Sequence, residues 1–168
     1  KVLNEYFNEA VEIVVKHKGY IDKFIGDCIM AAWGVPIEHM DEDATSAVSA
    51  AVEIQELVAS TNRAFFKGEA SQLRVGIGMH TGPLVAGNLG SVRRMDYTVI
   101  GDTVNVASRL EGVAGPDEVI ITEDTRKLLQ DGFELEERTA VKVKGKSKPI
   151  PIYNVAGRNG SKSQSKKK

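Results

Sequence analysis

Apolar positions in the first seventeen residues recur at helical spacing: Leu3, Phe7, Ala10, Val11 and Val14 form one stripe of a period-3.6 element. The spacing predicts a helix over 2–17, with Gly19 as its stop. The pattern then changes. Two short apolar runs, Tyr20–Ile25 and Cys28–Trp33, flank Gly26-Asp27 and read as a β-hairpin about that dipeptide. Pro36 breaks the run. A long helix is expected from Glu42 to Phe66, with Ala44, Ala47, Val48, Ala51, Ile54, Leu57 and Val58 on one side. Asp41 and Asp43 suit its positive N-terminal end.

Beyond residue 72 the pattern is shorter-ranged. Leu73–Met79 reads as a strand, and its Gly76 and Gly78 mark a place where another backbone or a ligand comes close. Leu84–Asn88 and Asp96–Ile100 are further short strands. Gly101-Asp102 opens a helix to about Glu111, on which Val104, Ala107 and Leu110 are expected to face inward. Glu118–Ile121 is a strand, and Thr122 caps a short helix to Leu129. Phe133–Val143 and Pro151–Val155 are strands joined by the basic turn KGKSKP. Helices interleave with hairpins, which predicts an α+β sandwich: a mostly antiparallel sheet with helices packed on it.

At 168 residues, 42% hydrophobic and 27% charged, the chain suits one folded domain with a real core. The single cysteine, Cys28, excludes a disulfide framework and makes an intracellular, cytoplasmic setting the default expectation. No apolar run reaches the length of a bilayer span. Lys1 is not an initiator Met, so a piece of a longer protein is expected. The last eleven residues carry +5, and against a net charge of −1 the remainder therefore carries −6. An acidic body argues against nucleic acid as a partner. The polar tail 157–168 is expected to be disordered, leaving 1–156 as the folded domain.

Three groups of residues could do chemistry. Asn105 and Arg109 lie four apart on the helix after Asp102, on one face. An amide and a guanidinium there can hold a ribose oxygen and a phosphate, or simply form a solvated polar face. Lys142, Lys144, Lys146 and Lys148 alternate along an extended segment and project to one side. They can meet a polyphosphate or guard an exposed strand edge. Lys23 and Asp27 bracket the hairpin tip. Asp27 is either a turn former or a hard-oxygen ligand for Mg²⁺ beside substrate phosphates. His17, His39 and His80 are scattered and suggest no zinc site. There is no GxxxxGK[ST] loop, GxGxxG fingerprint or GxSxG elbow.

Four segments in order carry a family resemblance: LNEYF at 3–7, DKFIGDCIMAAWG at 22–34, LRVGIGMHTGPLVAGNLG at 73–90 and MDYTVIGDTVNVASRLE at 95–111. Together they resemble the catalytic domain of class III nucleotidyl cyclases, the adenylyl and guanylyl cyclases. The resemblance implies a ferredoxin-like sheet and an active site built between two domains arranged head to tail in a homodimer. It implies ATP as substrate, two Mg²⁺ or Mn²⁺ ions per site, and regulatory domains upstream. Position by position it makes Asp27 a metal ligand, Lys23 and Thr98 the purine-selecting pair, and Asn105 the ribose-orienting residue. It makes Arg109 the group that steadies the pentavalent phosphorus, Lys144 the binder of the terminal phosphates, and Arg74 an additional phosphate-binding arginine. Thr98 resembles the bicarbonate-responsive branch of bacterial and soluble adenylyl cyclases. The family's other metal aspartate lies on a strand that precedes the first helix, and that strand is absent from these residues. The expectation is that these residues alone are inactive. Guanylyl cyclase, or a non-catalytic dimerisation or nucleotide-sensing module on the same fold, are the alternatives.

Overall fold

The computed structural model describes residues 2–39, 42–66 and 72–160. Twelve elements follow one another: α1 (Val2–Lys16), β1 (Tyr20–Ile25), β2 (Cys28–Ala32), α2 (Asp43–Phe65), β3 (Ile77–Met79), β4 (Val85–Ser91), β5 (Arg94–Ile100), α3 (Asp102–Glu111), β6 (Val119–Thr122), α4 (Glu123–Arg126), β7 (Phe133–Val141) and β8 (Ile150–Arg158). The strands form a four-stranded sheet in the order β3-β6-β8-β7 and two hairpins, β1-β2 and β4-β5. All pairings are antiparallel except β3 with β6. The α+β class holds, but the sheet is divided into three ladders rather than one.

The core explains the helix stripes. On α1 the buried residues are Tyr6, Ala10 and Val14, and Tyr6 and Ala10 close against Val58 of α2. The stripe is thus centred one residue away from the expected Leu3–Phe7 line, and Leu3 is exposed. Burial pushes the Tyr6 phenol up to about 12. Val48, Ala51 and Val52 of α2 pack on Val119 and Ile121 of β6 and Val155 of β8. On the other side of the sheet Val106 and Leu110 of α3 pack on Ile120, Val143 and Ile152. The buried face of α3 is Thr103, Val106 and Leu110, not Val104, Ala107 and Leu110. The inward line keeps Leu110 but turns by one position because Thr103 bonds the Pro83 carbonyl at 2.6 Å.

Three further boundaries move. The strand expected over 73–79 begins only at Ile77. The residues before it are held instead by side chains of α2. Asn62 bonds both the N–H and the carbonyl of Leu73 at 2.8 Å, and Gln55 Nε2 donates to the Val75 carbonyl at 2.8 Å. These amides supply the backbone partners a neighbouring strand would supply. The strand expected to reach Val143 ends at Val141, so the lysine segment is a turn. β8 continues to Arg158, two residues beyond the expected domain edge, with its guanidinium 5.7 Å from the Phe133 ring centroid. Residues 161–168 of the expected tail, and Asp41, lie outside the described residues.

Gly78 decides how α3 sits. A Cβ there would lie 2.0 Å from Glu111 N and 2.4 Å from the Leu110 carbonyl carbon. The backbone of α3 rests directly on β3, and only glycine permits the contact. A Cβ on Gly76 would likewise lie 3.0 Å from the Ala114 carbonyl oxygen. The close approach read from these two glycines is present: helix α3 at Gly78, and the backbone that follows it at Gly76.

Candidate active site

The β1-β2 hairpin has Ile25 opposite Cys28, leaving Gly26-Asp27 as a two-residue turn. Gly26 takes φ +62, the positive value such connections require at a glycine. Asp27 is exposed at the tip. It has no hydrogen bond or ion pair among the described residues. Lys23, four residues back, does not pair with it. Lys23 Nζ instead donates to Thr98 Oγ1 on β5 at 2.9 Å.

The physical reason lies one residue earlier. The register of β1 against β2 shifts between Ile21 and Lys23, so Asp22 is the extra residue of a bulge. A bulge re-aims side chains that would otherwise alternate. Consecutive residues Asp22 and Lys23 therefore reach the same partner. Thr98 Oγ1 donates to Asp22 Oδ2 at 2.9 Å, and Val99 N–H donates to Asp22 Oδ1 at 3.3 Å. Lys23 Nζ lies 3.2 Å from Asp22 Oδ2. The Asp22 side chain is 0% exposed and that of Lys23 is 46% exposed. A buried carboxylate thus sits beneath a half-exposed ammonium. Tyr20 adds a bond to the Tyr97 carbonyl at 3.0 Å and an edge-on ring contact with Tyr97. These side-chain bonds join β1 to β5 without a ladder.

Helix α3 carries the second group. Asp102 is its first residue and Gly101 its cap. The Asp102 carboxylate stands at the positive helix end and pairs with Lys146 Nζ at 2.5 Å. Asn105 and Arg109 are both exposed on α3. At its other end, Cys28 Sγ lies 3.9 Å from Glu111 Oε1. Burial pushes the Cys28 thiol up, with the Glu111 and Asp27 carboxylates adding to the effect. The hairpin tip bearing Asp27 is therefore beside the C-terminal end of α3.

The lysine segment is corrected in one respect. Lys142 and Lys144 are exposed around the buried Val143, while Lys146 turns to Asp102. The four amines are not one uniform row. Lys144 stays exposed on the turn that Lys146 ties to α3.

Arg74 does not join this set. It forms an ion pair with Asp117 and lines a cleft of about 580 Å³ with Gln55, Asn62, Arg63 and Gln72. None of the other six candidates lines that cleft. Sequence reasoning did not single out Asp22, which the structure places in contact with both Lys23 and Thr98. Its only local signal is an acid directly before Lys23, and nothing in the spacing announces a bulge.

A single carboxylate with free oxygens suits Mg²⁺, which is held through one or two carboxylates plus substrate phosphates. Asp27 fits that description as one ligand. Among the described residues no group of three or more His, Cys, Asp and Glu could hold a metal ion by itself. No helix among them is long and apolar enough to cross a membrane.

An Asp22–Lys23–Thr98 cluster, a polar face on α3 and a basic turn thus share one α+β frame. The chain matches the adenylate and guanylate cyclase catalytic domain over residues 1–157, and it belongs to that family. Divalent metals are general in this family. The chain is 34% identical over 158 residues to adenylate cyclase 1 of Rhizobium meliloti, covering 93% of this chain and 24% of that protein. The chain thus spans about a quarter of that relative's length. The crystal structure of the adenylyl cyclase CyaB from P. aeruginosa matches with 36% identity and a TM-score of 0.85, over 92% of this chain and 80% of that one. That of the guanylyl cyclase Cya2 matches with 33% identity and a TM-score of 0.85, over 96% and 82%.

Proposed function

We propose that this chain is the catalytic domain of an adenylyl cyclase that converts ATP to 3′,5′-cyclic AMP and pyrophosphate. One observation carries the choice of ATP: Lys23 Nζ bonded to Thr98 Oγ1 at 2.9 Å, half-exposed, over a buried acid. An ammonium N–H suits the N1 acceptor of adenine, and a hydroxyl lone pair suits its N6 amino donor. In the reaction the ribose 3′-oxygen forms a bond to the α-phosphorus. The bond from that phosphorus to the β-phosphate bridging oxygen breaks, the 3′-hydroxyl proton is released, and pyrophosphate departs.

Asn105 orients the ribose, so that the 3′-oxygen stays in line with the leaving group. Arg109 lies one helical turn on and neutralises charge that builds on the α-phosphoryl oxygens. Lys144 binds the terminal phosphates. Two Mg²⁺ or Mn²⁺ ions, with Asp27 as one protein ligand, supply further charge neutralisation and acidify the 3′-hydroxyl when bound. Lys23 and Thr98 belong to one site and Asp27 to the other of a head-to-tail homodimer. That division agrees with Asp27 having no contact to Lys23.

The test is product formation by the complete enzyme with ATP and with GTP, in Mg²⁺ and in Mn²⁺. Cyclic AMP is expected to dominate. Dominant cyclic GMP would replace this reading with that of a guanylyl cyclase. No product from either nucleotide, with binding intact, would favour a sensing module.

A further inference from the structure

The geometry points to Asp22 as a positioning residue that sets which way the Thr98 hydroxyl faces, and through it the preference for adenine over guanine. The inference rests on the reading of Lys23 and Thr98 as the base-recognising pair.

A count of donors and acceptors carries it. The Thr98 hydroxyl has one proton and two lone pairs. The proton goes to Asp22 Oδ2 at 2.9 Å, and one lone pair accepts from Lys23 Nζ at 2.9 Å. One lone pair remains for a ligand. The Lys23 ammonium has three N–H groups. One goes to Thr98 and one faces Asp22 Oδ2 at 3.2 Å, leaving one for a ligand. The cluster therefore offers one acceptor at Thr98 and one donor at Lys23.

Adenine presents N6–H₂ and N1, a donor and an acceptor. Guanine in the same pose presents O6 and N1–H, an acceptor and a donor. Both guanine groups meet a like partner. The mismatch at Thr98 persists only while its proton is committed elsewhere, because a free hydroxyl rotates and donates to O6. Asp22 commits it. The acid is itself held as an acceptor by the Val99 N–H at 3.3 Å and is 0% exposed, so no water replaces the hydroxyl as its partner. The bulge that turns Asp22 inward is thus part of the specificity device.

The test is kcat/KM for ATP and for GTP in the complete enzyme and in Asp22→Asn. The amide has nearly the shape of the acid, but it can donate to Thr98 and release the hydroxyl proton. The ratio of ATP to GTP is expected to fall by roughly tenfold or more, the scale of one reversed hydrogen bond. Equal loss with both nucleotides, or an unchanged ratio, would overturn the inference while leaving the ATP reading intact. A wild-type enzyme that prefers GTP would instead overturn the ATP reading itself. Should Asp22→Asn fail to fold, Thr98→Val interrupts the relay at its other end with little change in shape. The ratio must fall there too, and a ratio unchanged in Thr98→Val would overturn the inference.

Discussion

Lys146 on the turn after β7 pairs with Asp102, the first residue of α3, at 2.5 Å. The pair ties the turn that exposes Lys144 to the helix that exposes Asn105 and Arg109. Both side chains are partly exposed, 40% and 57%, so its contribution to stability is only about 0–1 kcal/mol. What it does in the structure is hold the turn against the first residue of α3. Lys146→Met is expected to shift the Tm by no more than about 4 °C and to raise the KM for ATP several-fold. Melting curves and steady-state kinetics on the same preparation separate the two effects. An unchanged KM would show that the turn holds itself in place.

Gly78→Ala is expected to be costly for a different reason. The new Cβ would meet backbone atoms of α3 at 2.0 and 2.4 Å, and backbone cannot rotate away. Overpacking of this kind costs about 1–3 kcal/mol or more. Because α3 carries Asn105 and Arg109, kcat should fall with stability. Gly87→Ala, where nothing lies within 4 Å, is the comparison. Denaturant unfolding should shift for the first variant and stay nearly constant for the second.

Arg109→Ala should lower kcat by about 10³ while changing KM modestly, the pattern of a group that acts on transition-state charge. A large rise in KM with intact kcat would assign the guanidinium to ground-state binding instead.

Lys23→Ala and Asp27→Ala chains, each inactive as a homodimer of the complete enzyme, should regain activity when mixed. Lys23 and Asp27 serve different sites of the same dimer in this reading, so each heterodimer has one site with both groups intact. Size-exclusion or crosslinking must show that heterodimers form. Heterodimers without activity would place both residues in one site.

His80 gives a pH dependence. Its Nδ1 lies 2.8 Å from Thr122 Oγ1, and burial lowers its pKa below the ordinary 6.5, with the Lys146 charge opposing Asp124 and Asp102. The unfolded imidazole takes up its proton at higher pH than the folded one. The unfolded state therefore binds more protons just below pH 6.5, and stability falls as pH drops through that range. The Tm of His80→Gln should decline less steeply than that of the wild type between about pH 7 and about pH 5. Parallel slopes would remove His80 as the cause.

Several features were legible along the chain. The hairpin about Gly26-Asp27, the long α2 and the Thr122 cap all rest on contacts within a few residues, and each is present. Gly76 and Gly78 announced a close approach because a missing side chain is itself local information. The exact burial line of α1 and α3 was less legible. Tyr6 and Thr103 are amphipathic or polar, and only their neighbours make them core. The surroundings of Arg74 were not legible for a related reason: its partner, Asp117, is 43 residues away.

By itself, then, the order of residues determined the helices, the hairpin and the presence of Lys23, Asp27, Thr98, Asn105, Arg109 and Lys144, since periodicity and turn chemistry act over short range. Tertiary structure alone decided which of them meet. The bulge at Asp22 depends on how β1 registers against β2. The bond from Lys23 to Thr98 spans 75 residues, and the shared buried acid exists only once β5 packs beside β1. Register and long-range packing are properties of the assembled chain, and they placed Asp22 against both Lys23 and Thr98.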